Sequence, residues 1–502
     1  MAVRPKALAT YADLRDYAGN AAEVSLTSAR IAGIFVRDDG DMTSADNDGT
    51  IIVASNGRRW KRRVDGKIKV GWFGAIGAGA DDTVAWNNAV AVLVSLGGGI
   101  LEAIPDTVHV LSDQIYCDPS VPVTVDLMGA TLKLEATVGN FKRIFTTANA
   151  TGRLVYSSAE DSPAWVFRNG ILDLSRENRL PYARYEKENS AAFFWGASAT
   201  YPGRARLVVE DSIMIQNSTG DGVHVYTNAH VTMRGKTRRC FRGGLTVTGG
   251  YSVVDGDNMM DLGGTNSLGI HIEIDAFGYG ATKRMVGTFR GANVAGGVTL
   301  DPTQGSVIDI SGITMTGGGL TISGGDGTGT IVGVGSTLTV AGQGGATGYF
   351  GNCKIIHLIN PTITVVFSGA GGQTIAAVAP RFGLGGAVGS DKAIILESPT
   401  FLTKNKQATD RAIAISCPAM SSATNNWVRL HGGKITSTYD AGIVAVQGGC
   451  YEIDGDVEFS STTTAFHISG TKSYLARLRL GRYRNTGGGE EKIGTMVDVL
   501  AI

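Results

Sequence analysis

The sequence predicts an all-β protein folded as a right-handed single-stranded parallel β-helix with an N-terminal capping helix and a small N-terminal domain. Glycine accounts for 71 of the 502 residues, proline for only 12, and no three-residue period is present, so tight turns are indicated and collagen is excluded. From residue 101 onward, short β-rich segments recur and helical stretches are rare. A recurring unit of strand and turn is typical of a solenoid with one continuous core.

Residues 1–70 combine charged turns with short strand-like pieces and are predicted to form a separate small domain. Residues 71–100 follow as a strand, a glycine-rich turn and one helix. Asp82 is expected to cap the free N–H groups at the start of this helix, and Gly97 to end it. Apolar residues recur with helical spacing at Val84, Ala85, Ala89, Val90, Leu93 and Val94. Such a helix is suited to cover the open N-terminal end of a coil stack.

Residues 101–502 are predicted to form the body of the β-helix. Several of its β-rich segments are separated by roughly 20–25 residues, the length of one solenoid coil. They begin near Asp211, His230, Tyr251, Met285, Val307, Cys353, Lys392, Trp427, Tyr451 and Ala476. Aliphatic and polar residues alternate in each, so one side of each strand is expected to face the core. A β-sandwich or jelly roll remains open as an alternative, because Asp221-Gly222 and Asp255-Gly256 have the composition of hairpin turns.

The charge and cysteine content restrict the partners of the chain. Its 45 basic and 45 acidic residues cancel, so nothing electrostatic favours nucleic acid or an anionic membrane. Five scattered cysteines without a C-x-x-C pair indicate neither a disulfide framework nor a zinc site and fit a chain that folds under reducing conditions. The longest apolar run, Ala89–Leu96, is too short to cross a bilayer, and the N-terminus lacks the apolar segment of a secretory signal. Neither a cofactor nor membrane insertion is expected.

The segment Thr50–Ala89 reads TIIVASNGRRWKRRVDGKIKVGWFGAIGAGADDTVAWNNA. It resembles the junction in many phage tailspikes and capsule depolymerases of the pectate-lyase-like superfamily, where a Gly-Arg-Trp strand leads into a W-F-G-A-x-G-D-G-x-x-D-D-T motif and a capping helix. Ala78 stands where the first aspartate of that motif is usual. Asn169–Asp173 and Asn217–Val225 look like coils of the same family. The resemblance implies a virion-attached homotrimer, with residues 1–70 bound to a phage baseplate or tail protein and glycan-recognising surfaces on the β-helix.

The strand-like run Gly269–Asp275 holds the first candidates for catalysis. Three isoleucines alternate with His271, Glu273 and Asp275, so the three polar residues are expected in a row on the outer side. Carboxylates two residues apart lie about 6.5–7 Å apart at the backbone, and their oxygens reach separations of about 5–9 Å. This range covers both the retaining and the inverting geometry of glycoside hydrolysis.

Further candidates come from neighbouring segments. In GDGVHVY, Asp221 is a third catalytic candidate, and His224 and Tyr226 are expected to bind substrate, with the two intervening valines facing the core. Asp257 is expected on a coil next to the Glu273 strand, unless it is a turn residue that bonds its own backbone. Arg284, like His271, is a candidate substrate-binding residue, since a lyase needs a cation beside the carboxylate of a uronic acid. The histidines are isolated in sequence, so no metal site is expected.

The function expected from these residues and from the resemblance is endo-acting depolymerisation of a bacterial capsule, exopolysaccharide or O-antigen. Glu273 and Asp275 are the predicted pair of carboxylates for general acid and base or nucleophile. Such a protein is assembled in the host cytoplasm, belongs to the virion tail and acts at the bacterial surface. Three alternatives stay open: a non-cleaving receptor-binding spike, a lyase that acts on a uronic-acid-containing glycan, and a structural tail component without glycan contact.

Overall fold

The computed structural model of the chain describes residues 5–135, 142–175, 190–198, 200, 202–240, 243–248, 253–256, 259–261, 268–273, 286–288, 293–295, 297–300, 307–315, 320–322, 329–341, 348–351, 354–366, 374–375, 381–383, 393–404, 411–416, 427–435, 441–445, 449–459, 464–468, 476–486, 490–493 and 497–501. The chain divides into two compact units, residues 1–220 and residues 221–502. Among the described residues, no helix has the length and apolar character needed to cross a membrane.

The first unit begins with a small five-stranded sheet and a short helix, Tyr11–Arg15. The order of strands across the sheet is Lys6–Leu8, Glu23–Leu26, Gly33–Asp38, Arg59–Arg62 and Ile51–Val53. The first two strands pair in parallel and the others pair antiparallel. Leu14, Val24, Phe35, Ile52 and Trp60 are fully buried and form the core between the helix and the sheet.

The rest of the first unit forms coils of three short parallel strands, each strand belonging to a different sheet. The first sheet contains Lys67–Lys69, Gly99–Glu102, Val123–Asp126, Ala164–Arg168 and Ala205–Val209. The second contains Ala78–Asp81, Val108–Leu111, Thr131–Leu134, Gly170–Asp173 and Ile213–Gln216. The third contains Ile115–Tyr116, Arg143–Thr146 and Ala191–Trp195.

The second unit is also built from three parallel sheets, sheet X, sheet Y and sheet Z. Sheet X contains Ala229–Met233, Val253–Gly256, Val286–Thr288, Val307–Asp309, Thr330–Val334, Ile355–Ile359, Ala393–Glu397, Trp427–His431, Gly449–Asp454, Ala476–Leu480 and Val497–Ala501. Sheet Y contains Lys236–Arg238, Met259–Asp261, Asn293–Ala295, Thr314–Met315, Thr337–Ala341, Thr362–Val366, Thr400–Lys404, Lys434–Ile435, Val457–Phe459 and Tyr483–Asn485. Sheet Z contains Asp221–Val225, Gly243–Thr248, Leu268–Glu273, Gly297–Leu300, Leu320–Ile322, Gly348–Gly351, Arg381–Gly383, Arg411–Ser416, Ala441–Ala445, Thr464–Ile468 and Glu490–Ile493, and Thr374–Ile375 pairs with its strand Arg411–Ser416.

Stacked aliphatic side chains hold these coils together. In sheet X, alternate residues of the three consecutive strands Ile355–Ile359, Ala393–Glu397 and Trp427–His431 are buried. One row of buried residues in register runs across these three strands and the next two: Ile356, Ile394, Val428, Tyr451 and Leu478. Parallel strands about 4.8 Å apart place like residues in contact, so the core continues from coil to coil without a closed sheet. In these strands of sheet X, alternation therefore gives one inner apolar side and one outer side of partly exposed residues.

The predicted parallel β-helix is confirmed, and the sandwich alternative is wrong. Every described strand pair beyond residue 66 is parallel, and the one isolated bridge between Ala148 and Leu154 is antiparallel. Asp221-Gly222 and Asp255-Gly256 lie inside strands and not in hairpin turns. Nine of the ten predicted β-rich segments correspond to strands of sheet X, and the exception near Asp211 corresponds to Ile213–Gln216 in the first unit. The sequence did not predict Thr330–Val334, which fills the widest gap between those segments.

The capping helix spans Thr83–Ser95, close to its predicted bounds, but two details of the prediction are wrong. Asp82 makes no side-chain cap, because its carboxylate accepts hydrogen bonds from the backbone N–H groups of Ile76 and Gly77. Asp81 instead accepts the Thr83 N–H at 3.0 Å. Val84 is 69% exposed, whereas Trp86, absent from the predicted apolar face, is fully buried.

Arg62 joins the N-terminal sheet to the first coil of the same unit. Its buried guanidinium donates hydrogen bonds to the Gly49, Ala32 and Ile31 carbonyls and to the Tyr11 hydroxyl. The same group stacks over Trp72 at 4.2 Å and Phe35 at 4.5 Å. Trp72 lies in a single 3-10 turn, Val70–Phe73, directly after the first strand of the coils. The hydrogen bonds hold the guanidinium within the N-terminal domain, and its stacking on Trp72 links that domain to the coils, together with the hydrogen bond from the Tyr11 hydroxyl to the Trp72 carbonyl at 2.9 Å.

Candidate functional site

The strand predicted to carry the catalytic row spans Leu268–Glu273 in sheet Z. His271 stands in register between Thr246 and Thr299, and Glu273 stands in register with Thr248. His271 and Glu273 are two residues apart on one strand, so their Cα atoms lie about 6.5–7 Å apart on the same side of it. Ile274 and Asp275 lie outside the described residues, as do the side chains of this strand.

Asp221 begins the first strand of the second unit, Asp221–Val225, in which all five residues are buried. Its Oδ1 accepts a hydrogen bond of 2.6 Å from the Thr246 hydroxyl on the next strand, and its Oδ2 lies 3.7 Å from Nδ1 of His224. Asp221 is itself fully buried, and its carboxylate contacts both Thr246 and His224, which stand in register with each other. A carboxylate buried in this way stabilises the strand through its hydrogen bond and is not accessible to a polymer in solvent.

A column of polar residues crosses the first three strands of sheet Z in register: His224, Thr246 and His271. His224 is 6% exposed, and its ring meets that of Tyr226 edge to face, with ring centroids 6.0 Å apart. Adjacent parallel strands are about 4.8 Å apart, so the Cα atoms of the two histidines are about 9.6 Å apart. The fold therefore brings together His224, Tyr226 and His271, three of the five residues predicted to bind substrate.

The register separates Asp221 from Glu273. Asp221 is aligned through Gly243 with Leu268, five residues before Glu273 and two strands away. These offsets place the two Cα atoms about 19 Å apart. Paired carboxyl groups of glycosidases are about 5–9.5 Å apart, so these two residues do not form such a pair.

Asp257 and Arg284 lie outside the described residues. The strand just before Asp257, Val253–Gly256, belongs to sheet X, whereas Glu273 lies in sheet Z. Val253–Gly256 therefore does not pair with the Glu273 strand, because consecutive strands of one coil pass to different sheets, and the location of Asp257 stays a prediction. Within the described parts of the chain, no group of three or more His, Cys, Asp or Glu side chains is arranged to hold a metal ion.

The first unit contains a buried aspartate, histidine and threonine that the sequence did not single out. Asp82 Oδ2 lies 2.6 Å from His109 Nδ1, and His109 Nε2 lies 3.2 Å from the Thr107 hydroxyl. The arrangement resembles the order of a nucleophilic triad. However, the hydroxyl proton of Thr107 is directed to the Ile104 carbonyl at 2.8 Å, and His109 is fully buried. The three side chains therefore stabilise the glycine-rich turn, and they are closed to a substrate.

The hydrogen bonds around this turn also explain its carboxyl groups. Burial raises the pKa of Asp82, but hydrogen bonds from His109 and from the two backbone N–H groups outweigh it and lower the pKa below its ordinary value. Burial opposes the ionised form of Asp81 as well, yet hydrogen bonds from Ser112 and Thr83 bring the pKa of Asp81 from 3.8 to about 2. The D-D-T run was the sequence signal for this cluster, although it was interpreted only as a helix cap.

Sequence reasoning also missed a charged outer face of sheet X. It contains the partly exposed Trp427 with Arg429, His431, Glu452 and Arg479. These residues come from three strands whose mutual register no local pattern fixes. The alternation in WVRLHGG was a signal for the outward side of one strand but not for its neighbours. By contrast, Phe193 and Trp195 in the first unit are fully buried and belong to its core.

Comparisons with known proteins give one family match and several similar solved structures. Residues 7–65 match the phage tail protein small four-stranded β-sheet domain. A tailspike protein 2 of an Escherichia coli O157:H7 bacteriophage is similar at 13% identity over 93% of this chain and 57% of that chain, with a TM-score of 0.37. The Acinetobacter baumannii phage AM24 tailspike protein is similar at 13% identity over 99% and 65%, with a TM-score of 0.32. The enzymatically active domain of bacteriophage CBA120 tailspike protein 2 is similar at 15% identity over 91% and 63%, with a TM-score of 0.40.

The chain spans 57–65% of the length of these three structures. Residues 7–65 form the compact sheet described above, and Lys67 begins the first strand of the coils. Residues 7–65 thus match a phage tail β-sheet domain, and the residues that follow form a parallel β-helix.

Proposed function

We propose that this chain is a phage tail spike that binds a bacterial surface polysaccharide and depolymerises it by endo-glycosidic hydrolysis. The observation that carries the proposal is a phage tail β-sheet domain fixed through Arg62 to a parallel β-helix in the same compact unit. A stack of coils offers the same outer positions again and again along one axis, which suits the repeating units of a linear polymer. A rigid junction keeps that axis aligned with the particle that carries it.

The proposed catalytic pair is Glu273 and Asp275, one as general acid and the other as base or nucleophile. Support comes from the described strand, where Glu273 follows His271 on the side of the polar column from His224 to His271. The proposed substrate-binding residues are His271, His224, Tyr226, Asp257 and Arg284. Asp221 is proposed to order this end of sheet Z through Thr246 and remains a catalytic candidate only together with His224.

The partners follow from the same proposal. Residues 1–70 attach the spike to a baseplate or tail protein, the functional form is a homotrimer, and the outer faces of the coils contact the polysaccharide. The protein is assembled in the host cytoplasm and acts from the virion tail at the bacterial surface. Size-exclusion chromatography with light scattering of the full chain measures the trimer directly, and a monomer at micromolar concentration contradicts it.

The central experiment incubates the full chain with a panel of purified bacterial capsules, exopolysaccharides and O-antigens, followed by mass spectrometry of the products. Shortened oligosaccharides with one added water per cut support hydrolysis. Retention of a polysaccharide without shortening identifies a receptor-binding spike instead. Products that absorb near 235 nm contain a new double bond and identify a lyase, because elimination leaves an unsaturated uronic acid.

Variants test the proposed pair once a substrate is found. Glu273→Gln and Asp275→Asn are each expected to lower the cleavage rate at least about 10²-fold, as for loss of a general acid or base. Glu458→Gln and Asp456→Asn are matched controls, because they make the same changes on sheet Y and its adjoining turn. Unchanged circular dichroism and an unchanged oligomeric state verify folding. Full activity of both site variants contradicts the assignment of the pair.

A further inference from the structure

Trp427 is exceptional among the tryptophans of this chain. The sequence contains six, and the other five are buried at Trp60, Trp72, Trp86, Trp165 and Trp195. Trp427 begins a strand of sheet X on its outer side and is partly exposed. A large aromatic side chain left in contact with solvent, in a protein that buries the others, indicates a contact surface.

Two guanidinium groups lie against this indole ring. The Arg479 guanidinium is 4.5 Å from the ring centroid, and that of Arg429 is 5.6 Å away. Arg429 follows Trp427 by two residues on the same strand, whereas Arg479 lies two strands further in register with Arg429. The Cα atoms of Trp427 and Arg479 are therefore about 12 Å apart, and both side chains extend across the intervening strand. The ring holds the guanidinium groups in place at the surface.

Glu452 lies between the two arginines but does not satisfy all of their N–H donors. Its Oε2 is 3.6 Å from Arg429 Nε and 3.6 Å from Arg479 Nη1, and its Oε1 is 3.2 Å from His431 Nε2. Charge-assisted N–H···O bonds are about 2.7–2.9 Å long, so the arginine contacts are ion pairs without a short hydrogen bond. One carboxylate thus faces two guanidinium groups, which leaves positive charge and several N–H donors available on side chains 36% and 42% exposed.

A second group of charges on the same unit provides a comparison. On sheet Y, Glu458 lies 3.0 Å from Lys434, within hydrogen-bond distance, and also accepts from the Thr486 hydroxyl at 3.2 Å. Hydrogen bonding to Lys434, against a smaller effect of burial, lowers the pKa of Glu458. That carboxylate is satisfied by short contacts and is typical of a structural surface pair. The arginines beside Trp427 differ because their donors are held in position and only partly used.

We propose that the Trp427 cluster, defined as Trp427, Arg429, His431, Glu452 and Arg479, binds a carboxylate-bearing sugar of the polysaccharide. Guanidinium groups are planar forks that match a carboxylate with two parallel N–H···O bonds. A neutral sugar binds an indole through its C–H face, but the ring here is already in contact with the guanidinium groups. Acidic sugars are therefore the class that the cluster recognises. This inference rests on the proposed function, since it takes the ligand from the same polymer.

The location of Trp427 allows a direct binding test. The probes are purified capsular polysaccharides that contain hexuronic acid, each compared with its carboxyl-reduced form, in which the acid is converted to a neutral sugar. Because the other tryptophans are buried, a fluorescence change that Trp427→Phe abolishes reports on the cluster. Arg429→Gln and Arg479→Gln are each expected to weaken binding of an acidic probe about 10-fold, and the double variant about 30-fold or more. Arg484→Gln, an exposed arginine on sheet Y, is the matched control.

The outcomes separate this inference from the proposed function. A response to at least one acidic probe, lost on carboxyl reduction and in the double variant, supports acidic-sugar binding. No Trp427-dependent response across the panel, an equal response to the reduced forms, or an equal affinity of the double variant overturns it. Cleavage of a panel member without such a response refutes the inference and leaves the depolymerase intact. A specific response without any cleavage refutes the depolymerase and leaves the binding site.

Discussion

Removal of the Asp82 carboxyl is expected to destabilise the first unit strongly. This carboxylate accepts hydrogen bonds from the Ile76 N–H at 2.7 Å, the Gly77 N–H at 2.9 Å and His109 Nδ1 at 2.6 Å. Asp82→Ala leaves these three donors without their acceptor beside a fully buried ring. At about 1–2 kcal/mol for each buried donor, the free energy of unfolding falls by about 3–6 kcal/mol.

The expected change in melting temperature follows from the size of the unit. The first unit spans residues 1–220, and for a domain of that size each kcal/mol lowers the midpoint by about 2–4 °C. Asp82→Ala is therefore expected to lower the thermal midpoint by roughly 6–24 °C. Asp82→Asn retains the shape and one accepting oxygen, so its midpoint is expected between those of the wild type and Asp82→Ala.

Differential scanning fluorimetry of the full chain at a fixed heating rate measures this effect. Asp39→Ala is the matched control, because Asp39 forms an exposed ion pair with Arg37 and such pairs contribute less than about 1 kcal/mol. A midpoint of Asp82→Ala within the error of the control refutes the role of this carboxylate in the turn. It also refutes the view that His109 and Thr107 are structural.

Three further expectations concern acid stability and two buried polar contacts. Because folding lowers the pKa of Asp81 from 3.8 to about 2, the contribution of Asp81 to the free energy of unfolding is complete above about pH 4 and is lost as the pH falls towards 2. The thermal midpoint of Asp81→Asn is therefore expected to fall less steeply than that of the wild type between about pH 4 and pH 2, and equal slopes of midpoint against pH contradict this. Arg62→Met keeps much of the volume but removes the guanidinium that stacks on Trp72 and donates four hydrogen bonds within the N-terminal domain; cleavage by a protease between residues 62 and 70 is therefore expected to accelerate at least about 10-fold, and an unchanged rate argues against the junction. Thr246→Val removes the hydroxyl that donates a hydrogen bond to Asp221 and is expected to lower the free energy of unfolding, measured with denaturant, by about 1–3 kcal/mol. Thr486→Val, at an exposed site, is expected to lower it by less than about 1 kcal/mol.

The coil architecture was predictable because many strands repeat the same local pattern of alternating buried and outward residues. Alternating residues such as those of Ala393–Glu397 and Trp427–His431 specify one buried side, and frequent glycine supplies the turns. The helix over Thr83–Ser95 was predictable for the same reason, since its spacing and the glycines after it are local features. The strand Thr330–Val334 was missed because TIVGV contains a glycine at a position that packs inward.

The composition of the candidate site was only partly accessible from the sequence. The residues of one strand, such as His271 and Glu273, follow from alternation alone. Which residues stand beside them depends on register between coils of different length, and this register placed Asp221 about 19 Å from Glu273. Burial of Asp221 and His224 likewise depends on what packs over the strand, which alternation does not specify.

The sequence by itself determined the period of the coils and the capping helix, because each depends on contacts between residues close along the chain. Only the tertiary structure decided that Asp82 bonds to His109, that Arg62 joins sheet to coil, and that Arg429 and Arg479 meet at Trp427. The Asp82–His109 contact joins residues 27 positions apart and the Trp427–Arg479 contact joins residues 52 positions apart, across turns of variable length. The physical reason is that strand alternation fixes the side on which a residue lies, whereas coil length fixes its neighbour.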